Sequence, residues 1–421
     1  MLTFFGRNRQ FCDGVSRRDF LGVGALSIAG LSLADVLRLK AQAGVIESPK
    51  SVIMIYLPGG PTHLDTYDLK PAAPTEYRGE FDPIQTNVPG MEICELMPMQ
   101  ARIADKLSVV RGIVTSNEHS AHGTLTGFHK KAMRPPLGSV VSYMRGRKDS
   151  LPPYVSMMNN GNDDAENPYY VGEAHKPFSP SGEGMKSLSL VSDVTLNRLA
   201  DRKALRDSLD NLRRDIDVDG SLAGVDSFTE RALDMVTSTK ARDAFDISRE
   251  SASTHQLYGA ANDTFLKARR LVEAGVSVVT LSTGGWDTHA NNFESMRKQL
   301  PRIDQGIHAL ITDLHARGLE NDVAVLMAGE FGRTPRINPG AGRDHWPSSG
   351  FSLLGGALGQ GQVIGESDSN GSRPKGMPIT QSNVLASIYR HLGIDPVTVI
   401  RDNSGRPMYL LDDRRMLSDL V

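Results

Sequence analysis

Three apolar runs, rich in Val, Ile and Leu, are the clearest feature of the chain. They are residues 52–57, 276–281 and 322–329. A run this rich in apolar and β-branched residues predicts a strand that is buried on both faces, as strands are in an open α/β sheet. Helical spacing of apolar residues at 264–274, closed by Gly275, precedes the second run, and a helix at 294–317 is predicted to follow it. The pattern therefore predicts strands that alternate with helices.

The pattern continues in both directions from these runs. Residues 51–130 have the character of a βαβ region, with a strand at 107–114 and a polar helix start at 115–127. Late strands are predicted at 351–356 and 362–366, and a helix at 382–392. We therefore expect the sheet to use strands from both ends of the chain.

Residues 131–260 interrupt this pattern. They contain two Pro pairs, an Asn- and Asp-rich stretch at 159–168 and a charged segment at 195–217 with Leu at helical spacing. These are the signals of turns followed by solvated helix. We expect residues 131–260 to form an insertion, mostly helical, over the main sheet.

The N-terminus has the features of an export signal. Ser16-Arg17-Arg18-Asp19-Phe20-Leu21 is a twin-arginine pattern, an apolar stretch rich in Gly and Ala follows, and Ala41-Gln42-Ala43 is a cleavage candidate. We therefore predict a Tat signal peptide at 1–43, export through the Tat translocon, and a periplasmic or extracellular domain at 44–421. The alternatives are a soluble amphipathic N-terminal helix and an uncleaved membrane anchor, and the location and N-terminal sequence of the mature protein distinguish the three.

Removal of the signal leaves a mildly acidic chain with one cysteine. The net charge changes from −2 to −5, because residues 1–43 carry six basic and three acidic side chains. A chain without a basic block is not expected to bind nucleic acid. Cys12 leaves with the signal, so Cys94 has no partner for an internal disulfide. Stability then has to come from the core, which a chain of this length can build.

Acidic and His side chains follow each of the three apolar runs. They are Asp287 and His289 after the second run, Glu330 and then His345 after the third, and His63 and Asp65 after the first. Ligands bind at the carboxyl ends of the strands in open α/β sheets, so we expect these side chains to share one polar site. A carboxylate and an imidazole two residues apart can reach one metal ion.

A second group of reactive side chains lies in the polar stretch that follows the strand at 107–114. His119, Ser120 and His122 are close together there, at the predicted start of a helix. One interpretation is a hydroxyl nucleophile or an anion cradle with His ligands beside it. The other is ordinary helix capping by Ser116 or Asn117. The residues themselves leave both interpretations open.

The motifs together resemble the exported protein family known as domain of unknown function 1501, over nearly all of residues 16–395. They are the twin-arginine signal, Pro58 to Asp68, Leu125-Thr-Gly127, Gly285-Trp-Asp-Thr-His289, Gly329 to Pro335 and Gly342-Arg-Asp-His345. That family is similar to the alkaline phosphatase and sulfatase superfamily. The resemblance implies an α/β fold with a mostly parallel central sheet between helices. It also implies hydrolysis of phosphate or sulfate esters at a divalent-metal site.

The resemblance also implies roles for individual residues. Asp287, His289 and His345 look like the superfamily's ligands of one metal, although the Asp-x-His spacing is shorter than usual. Glu330 and Phe331 stand where a second metal usually finds Asp and His, and Gly59 stands where the first strand normally ends in Asp. His63 or Asp65 would have to substitute for that missing Asp. These departures favour one metal over two.

We therefore expect an exported hydrolase that uses zinc, manganese or iron, since mixed nitrogen and oxygen ligands suit these metals better than calcium. The expected substrate is an anionic ester, such as a sulfated or phosphorylated small molecule or glycan. Ser120, or a water on the metal, would attack it, and Arg333 would clamp its oxygens. The sulfatase signature Cys/Ser-x-Pro-x-Arg is absent around Ser120. The rival hypothesis is a binding protein that kept the fold and lost the chemistry.

Overall fold

A seven-stranded sheet forms the centre of the protein. The computed structural model describes residues 50–146, 151–158, 164–180 and 238–417. Its strands are β1 Ser51–Leu57, β2 Pro83–Gln85, β3 Glu92–Cys94, β4 Leu107–Arg111, β5 Ile113–Val114, β6 Tyr154–Met157, β7 Val278–Ser282, β8 Val323–Gly329, β9 Gly332–Arg333, β10 His345–Trp346, β11 Phe351–Gly356, β12 Gln362–Ile364, β13 Ile379–Thr380, β14 Val399–Arg401 and β15 Pro407–Tyr409. The order in the sheet is β12-β4-β11-β8-β1-β7-β6.

The α-helices alternate with these strands. They are α1 Thr75–Arg78, α2 Pro98–Ala101, α3 His122–Thr126, α4 Leu137–Arg145, α5 Thr239–Phe245, α6 Ala252–Tyr258, α7 Asp263–Glu273, α8 Asn292–Ala316 and α9 Gln381–His391. Short 3-10 turns also occur, for example at Tyr169–Val171. Among the described residues, no helix is long and apolar enough to span a bilayer.

The sheet is mostly parallel, which confirms the expected fold class. β1 lies between β7 and β8 and is parallel to both, while β6 extends the sheet beyond β7 and β12 extends it beyond β4. β11 is the exception, since it runs antiparallel to its neighbours β4 and β8. Because β4 and β8 flank β11, they point the same way as each other. The carboxyl ends of β4, β8, β1 and β7 therefore lie along one edge of the sheet.

Helices cover both faces of the sheet. Ile53, Ile55 and Leu57 of β1 belong to a buried cluster that includes apolar residues of α7 and α8. Val52, Met54 and Tyr56 face the other way, into a cluster with apolar residues of α4 and α9. Successive residues of a strand point to opposite faces, so a run that is apolar throughout is what a strand between two helical layers requires.

The region predicted as an insertion, 131–260, contributes more to the sheet than we expected. β6 lies within it and pairs with β7 in parallel, from Tyr154↔Val278 to Met157↔Leu281. Four residues after a Pro pair give too short an apolar run to be recognised as a strand from sequence. α5 and α6 at its end are helical as expected. The predicted helix at 195–217 and the predicted signal at 1–43 lie outside the described residues and stay predictions.

Asp304 gives the fold a measurable pH dependence. This carboxylate of α8 accepts hydrogen bonds from the backbone N–H of Met99 (2.8 Å) and of Gln100 (2.7 Å), at the start of α2. Burial nevertheless raises the pKa of the Asp304 carboxyl to about 6. The unfolded pKa is about 3.9, so the folded state binds this proton more tightly than the unfolded chain does. The resulting stabilisation is present below pH 4 and is lost as the pH rises through 6.

We expect Asp304→Asn to remove this dependence. In urea unfolding followed by circular dichroism, wild type should lose on the order of 2 kcal/mol relative to the variant between pH 4 and pH 7. Asp412→Asn, which changes an exposed carboxyl, is the control and should follow the wild-type curve. Parallel pH curves for wild type and Asp304→Asn would contradict the assignment.

Candidate metal centre

The loops at the carboxyl edge of the sheet bring together side chains that are far apart in sequence. The loop after β7 carries Asp287 and His289, and the chain after β4 and β5 carries His119. β9 and β10 form a two-residue antiparallel ladder in which His345 pairs with Arg333. This ladder lies directly after β8 and so brings His345 back to the same edge.

Four side chains meet there. His119, Asp287 and His345 each offer a ligand atom, and these three atoms lie within 4.8 Å of one another. His289 Nε2 lies 3.0 Å from both His345 Nε2 and Asp287 Oδ1, and His345 Nε2 lies 3.3 Å from Asp287 Oδ1. His119 Nε2 lies 3.9 Å from Asp287 Oδ2. We refer to His119, Asp287, His289 and His345 as the metal cluster.

These separations fit one metal ion. Ligand atoms at about 2.1 Å from a tetrahedral zinc are about 3.4 Å from each other. The separations in the cluster run from 3.0 Å for the pairs that involve His289 to at most 4.8 Å within His119, Asp287 and His345, and so lie on both sides of that value. Three imidazoles and one carboxylate are also a donor set that zinc, manganese and iron accept. Burial lowers the pKa of His345, and the charges of Arg333, His119 and His289 lower it further. The hydrogen bond to Asp287 acts in the opposite direction but does not reverse the shift, so the neutral, metal-binding form of His345 is favoured.

A carboxylate outside the cluster orients His119. His119 Nδ1 donates to Glu330 Oε1 at 2.8 Å, which leaves the Nε2 lone pair on the side of Asp287. Glu330 is itself held by the backbone N–H of Gly59 (3.0 Å) and by the hydroxyl of Tyr56. Carboxylates that accept from the remote nitrogen of an imidazole are typical of metal-binding histidines. Of the two roles expected for Glu330, a second ligand or an orienting carboxylate, its contact with His119 fits the orienting carboxylate.

The same arrangement is repeated at His289. Its Nδ1 donates to Asp344 Oδ1 at 2.6 Å, and this leaves Nε2 directed at Asp287 and His345. The hydrogen bond from His289 lowers the pKa of Asp344, so this carboxylate stays charged. The side chain of Asn338 donates to the backbone carbonyl of His289 at 2.8 Å and fixes the loop itself. Two histidines of the cluster therefore have a carboxylate behind them.

Arg333 positions Asp287 instead of reaching a substrate. Its side chain is fully buried. Nε donates to Gly60 O (2.8 Å), Nη1 to Arg343 O (3.0 Å) and Nη2 to Asp287 Oδ1 (2.6 Å), and Nη2 also bonds the carbonyl of Gly59. Burial alone would raise the pKa of Asp287, but hydrogen bonding and charge from Arg333, together with smaller contributions from His345 and His289, lower this pKa overall. The expectation that Arg333 clamps an anion is corrected, because its donors are used within the protein.

His63 and Asp65 are not part of the cluster. Both are fully buried. Asp65 makes a two-point ion pair with Arg343 (Oδ2 to Nε 2.8 Å and Oδ1 to Nη2 3.0 Å) and also accepts from Thr62 and Asn292. His63 Nε2 lies 2.7 Å from the carbonyl of Gly371, and burial lowers the pKa of this imidazole. The expectation that either residue replaces a missing metal ligand is corrected, because both are committed to internal contacts.

Gly59 and Phe331, which stand where the resemblance implies ligands of a second metal, make structural contacts beside the cluster. Gly59 has φ of 94°, and a Cβ at this position would overlap the backbone of Asp287. Its N–H and carbonyl instead bind Glu330 and Arg333. Phe331 is buried and packs its ring against His345, with centroids 4.3 Å apart. These positions therefore shape the single cluster and add no ligand to it.

Ser120 follows His119 on the same loop and is buried. Its Oγ lies 2.5 Å from His122 Nδ1 and accepts from the backbone N–H of His122 at 3.2 Å. The structure therefore places this hydroxyl next to a metal-cluster residue in sequence and against an imidazole in space. The prediction that Ser116 or Asn117 caps this helix is wrong, because Ala121 occupies the N-cap position of α3.

Comparisons with known proteins place the chain in one family. The family model described as "Protein of unknown function (DUF1501)" matches residues 49–421. A search of curated proteins gives no match.

Among solved structures, the lipoteichoic acid synthase LtaP from Listeria monocytogenes has 10% identity and a TM-score of 0.36, covering 87% of this chain and 75% of that one. The PsFucS1 sulfatase from Pseudoalteromonas sp. has 11% identity and a TM-score of 0.36, with coverage of 85% and 70%. The protein Ps i-CgsB has 9% identity and a TM-score of 0.35, with coverage of 82% and 72%. At such identities and TM-scores, activity has to be argued from this chain's own residues.

Proposed function

We propose that this chain, which belongs to the DUF1501 family of proteins of unknown function, is a divalent-metal-dependent hydrolase of phosphate or sulfate esters. The observation that carries the proposal is the convergence of His119, Asp287 and His345, whose ligand atoms lie within 4.8 Å of one another, with His289 Nε2 3.0 Å from two of them. Two of its histidines are also backed by carboxylates, which an accidental cluster of surface side chains would not require.

Exposure of the cluster supports a role toward a substrate. The side chains of His119, Asp287 and His289 are about half exposed, at 51%, 48% and 47%. Structural metal sites are closed by protein ligands, whereas catalytic sites keep a position open to solvent. An ester could therefore approach the cluster directly from solvent.

The positions of the positive charges near the cluster support a role for a metal cation in binding an anionic substrate. The two arginines beside the cluster, Arg333 and Arg343, are fully buried and engaged by protein oxygens. Neither can neutralise an incoming phosphate or sulfate group. A bound divalent cation would supply that positive charge at the ester oxygens. The protein's part is to hold the ligands in place and to keep Asp287 ionised through Arg333.

The proposal is tested by metal content and turnover together. Protein purified without chelator should carry close to one equivalent of transition metal and hydrolyse p-nitrophenyl phosphate or p-nitrophenyl sulfate. Chelation should abolish turnover and lower the melting temperature, since a metal at 100 times its Kd stabilises the fold by about 2.7 kcal/mol. Readdition of zinc, manganese or iron should restore both. Stoichiometric metal without turnover on any ester would favour the rival binding protein, and no metal at micromolar concentration would exclude the hydrolase and favour the same rival.

A further inference from the structure

A chain of polar groups runs from Ser120 into the segment that follows β6. Ser120 Oγ lies 2.5 Å from His122 Nδ1, and His122 Nε2 lies 3.3 Å from the hydroxyl of Tyr169. That hydroxyl donates to Asp164 Oδ2 at 3.1 Å, and Asp164 Oδ1 lies 3.7 Å from His122 Nε2. Tyr169 and Asp164 are more than forty residues from His122 in sequence. Two separate parts of the chain therefore converge on one imidazole.

The partners of His122 favour the tautomer with the proton on Nε2. In that tautomer Ser120 donates to the unprotonated Nδ1, and Nε2–H faces the hydroxyl oxygen of Tyr169 at 3.3 Å and the charge of the Asp164 carboxylate at 3.7 Å. Burial would raise the pKa of Asp164, but its bonds to Lys130 and Tyr169 lower it by more, so the carboxylate is charged. An imidazole with a hydroxyl on one nitrogen and a carboxylate behind the other is the arrangement of a general base.

Burial distinguishes this pair from a surface turn. Ser120 is 5% exposed and His122 is 1% exposed. An imidazole that deep in the protein loses solvation, and it is held there by partners at both nitrogens. Ser120 also directly follows His119, a member of the metal cluster, along the chain.

We propose that Ser120 is the nucleophile of this protein and that His122, held by Tyr169 and Asp164, is the base that activates it. This deepens the proposed function and rests on it for the identity of the ester. In the first step the Ser120 Oγ bond to phosphorus or sulfur forms, the bond to the ester's alcohol oxygen breaks, and the hydroxyl proton passes to His122 Nδ1 and on to the leaving alcohol. In the second step a water gives its proton to His122, its oxygen bonds to phosphorus or sulfur, and Ser120 leaves and recovers the proton.

The proposal makes the reactivity of Ser120 independent of the metal cluster. If the imidazole takes the proton, Ser120 should react with a fluorophosphonate probe whether or not metal is bound. In that reaction the Oγ–P bond forms, fluoride leaves and the proton moves to His122. Labelling is therefore measured on the full-length protein, with and without chelator, and the labelled residue is located by mass spectrometry.

Ser120 should be labelled in both states, and Ser120→Ala should abolish the label. His122→Gln should slow labelling by about 100-fold or more, the usual contribution of a general base. Ser142→Ala is the matched control, because buried Ser142 also contacts an imidazole, His175 Nδ1 at 3.0 Å, and should not change labelling. Asp164 is exposed, so Asp164→Asn tests the orienting carboxylate without opening the core. It should slow labelling about 10-fold, with partial recovery in Asp164→Glu.

The outcomes separate this inference from the proposed function. Ester turnover that survives in Ser120→Ala, with no label at Ser120, would overturn the Ser–His assignment and leave the metal-dependent hydrolase in place. Labelling of Ser120 that requires His122, in a protein that binds no metal and turns over no ester, would support the pair and overturn the hydrolase. Labelling unchanged in His122→Gln would overturn the role of His122 even where Ser120 is the labelled residue.

Discussion

Replacing His119 by alanine is expected to lower the affinity for divalent metal by more than 100-fold and to abolish ester turnover. The metal would lose a direct ligand in this variant. Loss of only an outer partner of a ligand typically lowers metal affinity or activity about 10–100-fold, so loss of the ligand itself should cost more. Glu330→Gln, which removes the carboxylate behind His119 Nδ1, should fall in that smaller range. His119 is half exposed, so neither the fold nor its melting temperature in chelator should change much.

Isothermal titration with zinc, together with the chelator-induced shift in melting temperature, measures this effect. His129→Ala is the matched control, because it removes another exposed imidazole ten residues along the same stretch and should bind metal as wild type does. Wild-type affinity in His119→Ala would show that Asp287, His289 and His345 hold the metal without it. Arg333→Ala should also weaken metal binding, since Arg333 fixes Asp287 and does not contact solvent.

Asp65→Ala is expected to destabilise the fold by about 3–5 kcal/mol, because it leaves the guanidinium of Arg343 charged, buried and unpaired. Arg343 also donates to the backbone carbonyls of Thr334 (3.1 Å) and Tyr77 (2.8 Å), so the pair ties the loop before β10 to the N-terminal part of the chain. That loop carries Asp344 and leads into His345. The variant should therefore lose metal affinity together with stability.

Urea unfolding with and without chelator measures the two losses separately. The matched control is Glu80→Ala, which breaks the exposed ion pair between Arg297 Nη2 and Glu80 Oε2 (2.6 Å). Exposed pairs contribute about 0–1 kcal/mol, so this control should be near neutral. A loss below about 1 kcal/mol in Asp65→Ala would contradict a structural role for the Asp65–Arg343 pair.

The central strands could be predicted from sequence because burial on both faces leaves a continuous apolar run. β1, β7 and β8 show this pattern, and α7 and α8 keep clear helical spacing between and around them. The antiparallel direction of β11 could not be predicted, since the pattern of a buried strand is the same in either direction. β6 was missed because four residues give too little pattern to separate a strand from a loop.

The candidate site could be predicted only in part. Asp287, His289 and His345 follow from strands and Gly-rich turns that show in the sequence. Asp65, Arg333 and Glu330 occur in the same local setting, but their oxygens and nitrogens are used inside the protein, and the sequence does not show which charged groups find internal partners.

The role of His119 could not be distinguished from that of its neighbour His122 in the sequence. Its stretch of polar residues suggested a helix start with histidines beside a hydroxyl, yet nothing local separates His119 from His122. One imidazole meets Asp287 and the other meets Ser120. That difference is set by Glu330 and Asp164, which lie far away in the chain, so it follows from the fold and not from the pattern.

The central position of β1 in the sheet has a consequence for co-translational folding. β1 is the first strand of the sheet to be synthesised. Its partners β7 and β8 are synthesised late, and only β11 and β12 of the sheet follow them. At translation rates of 5–20 residues per second, about 270 residues separate β1 from β8, or roughly 15–50 s. During that interval one of the most apolar segments of the nascent chain has unpaired edges on both sides. The edges of β1 therefore stay open to pairing with other chains until β7 and β8 leave the exit tunnel.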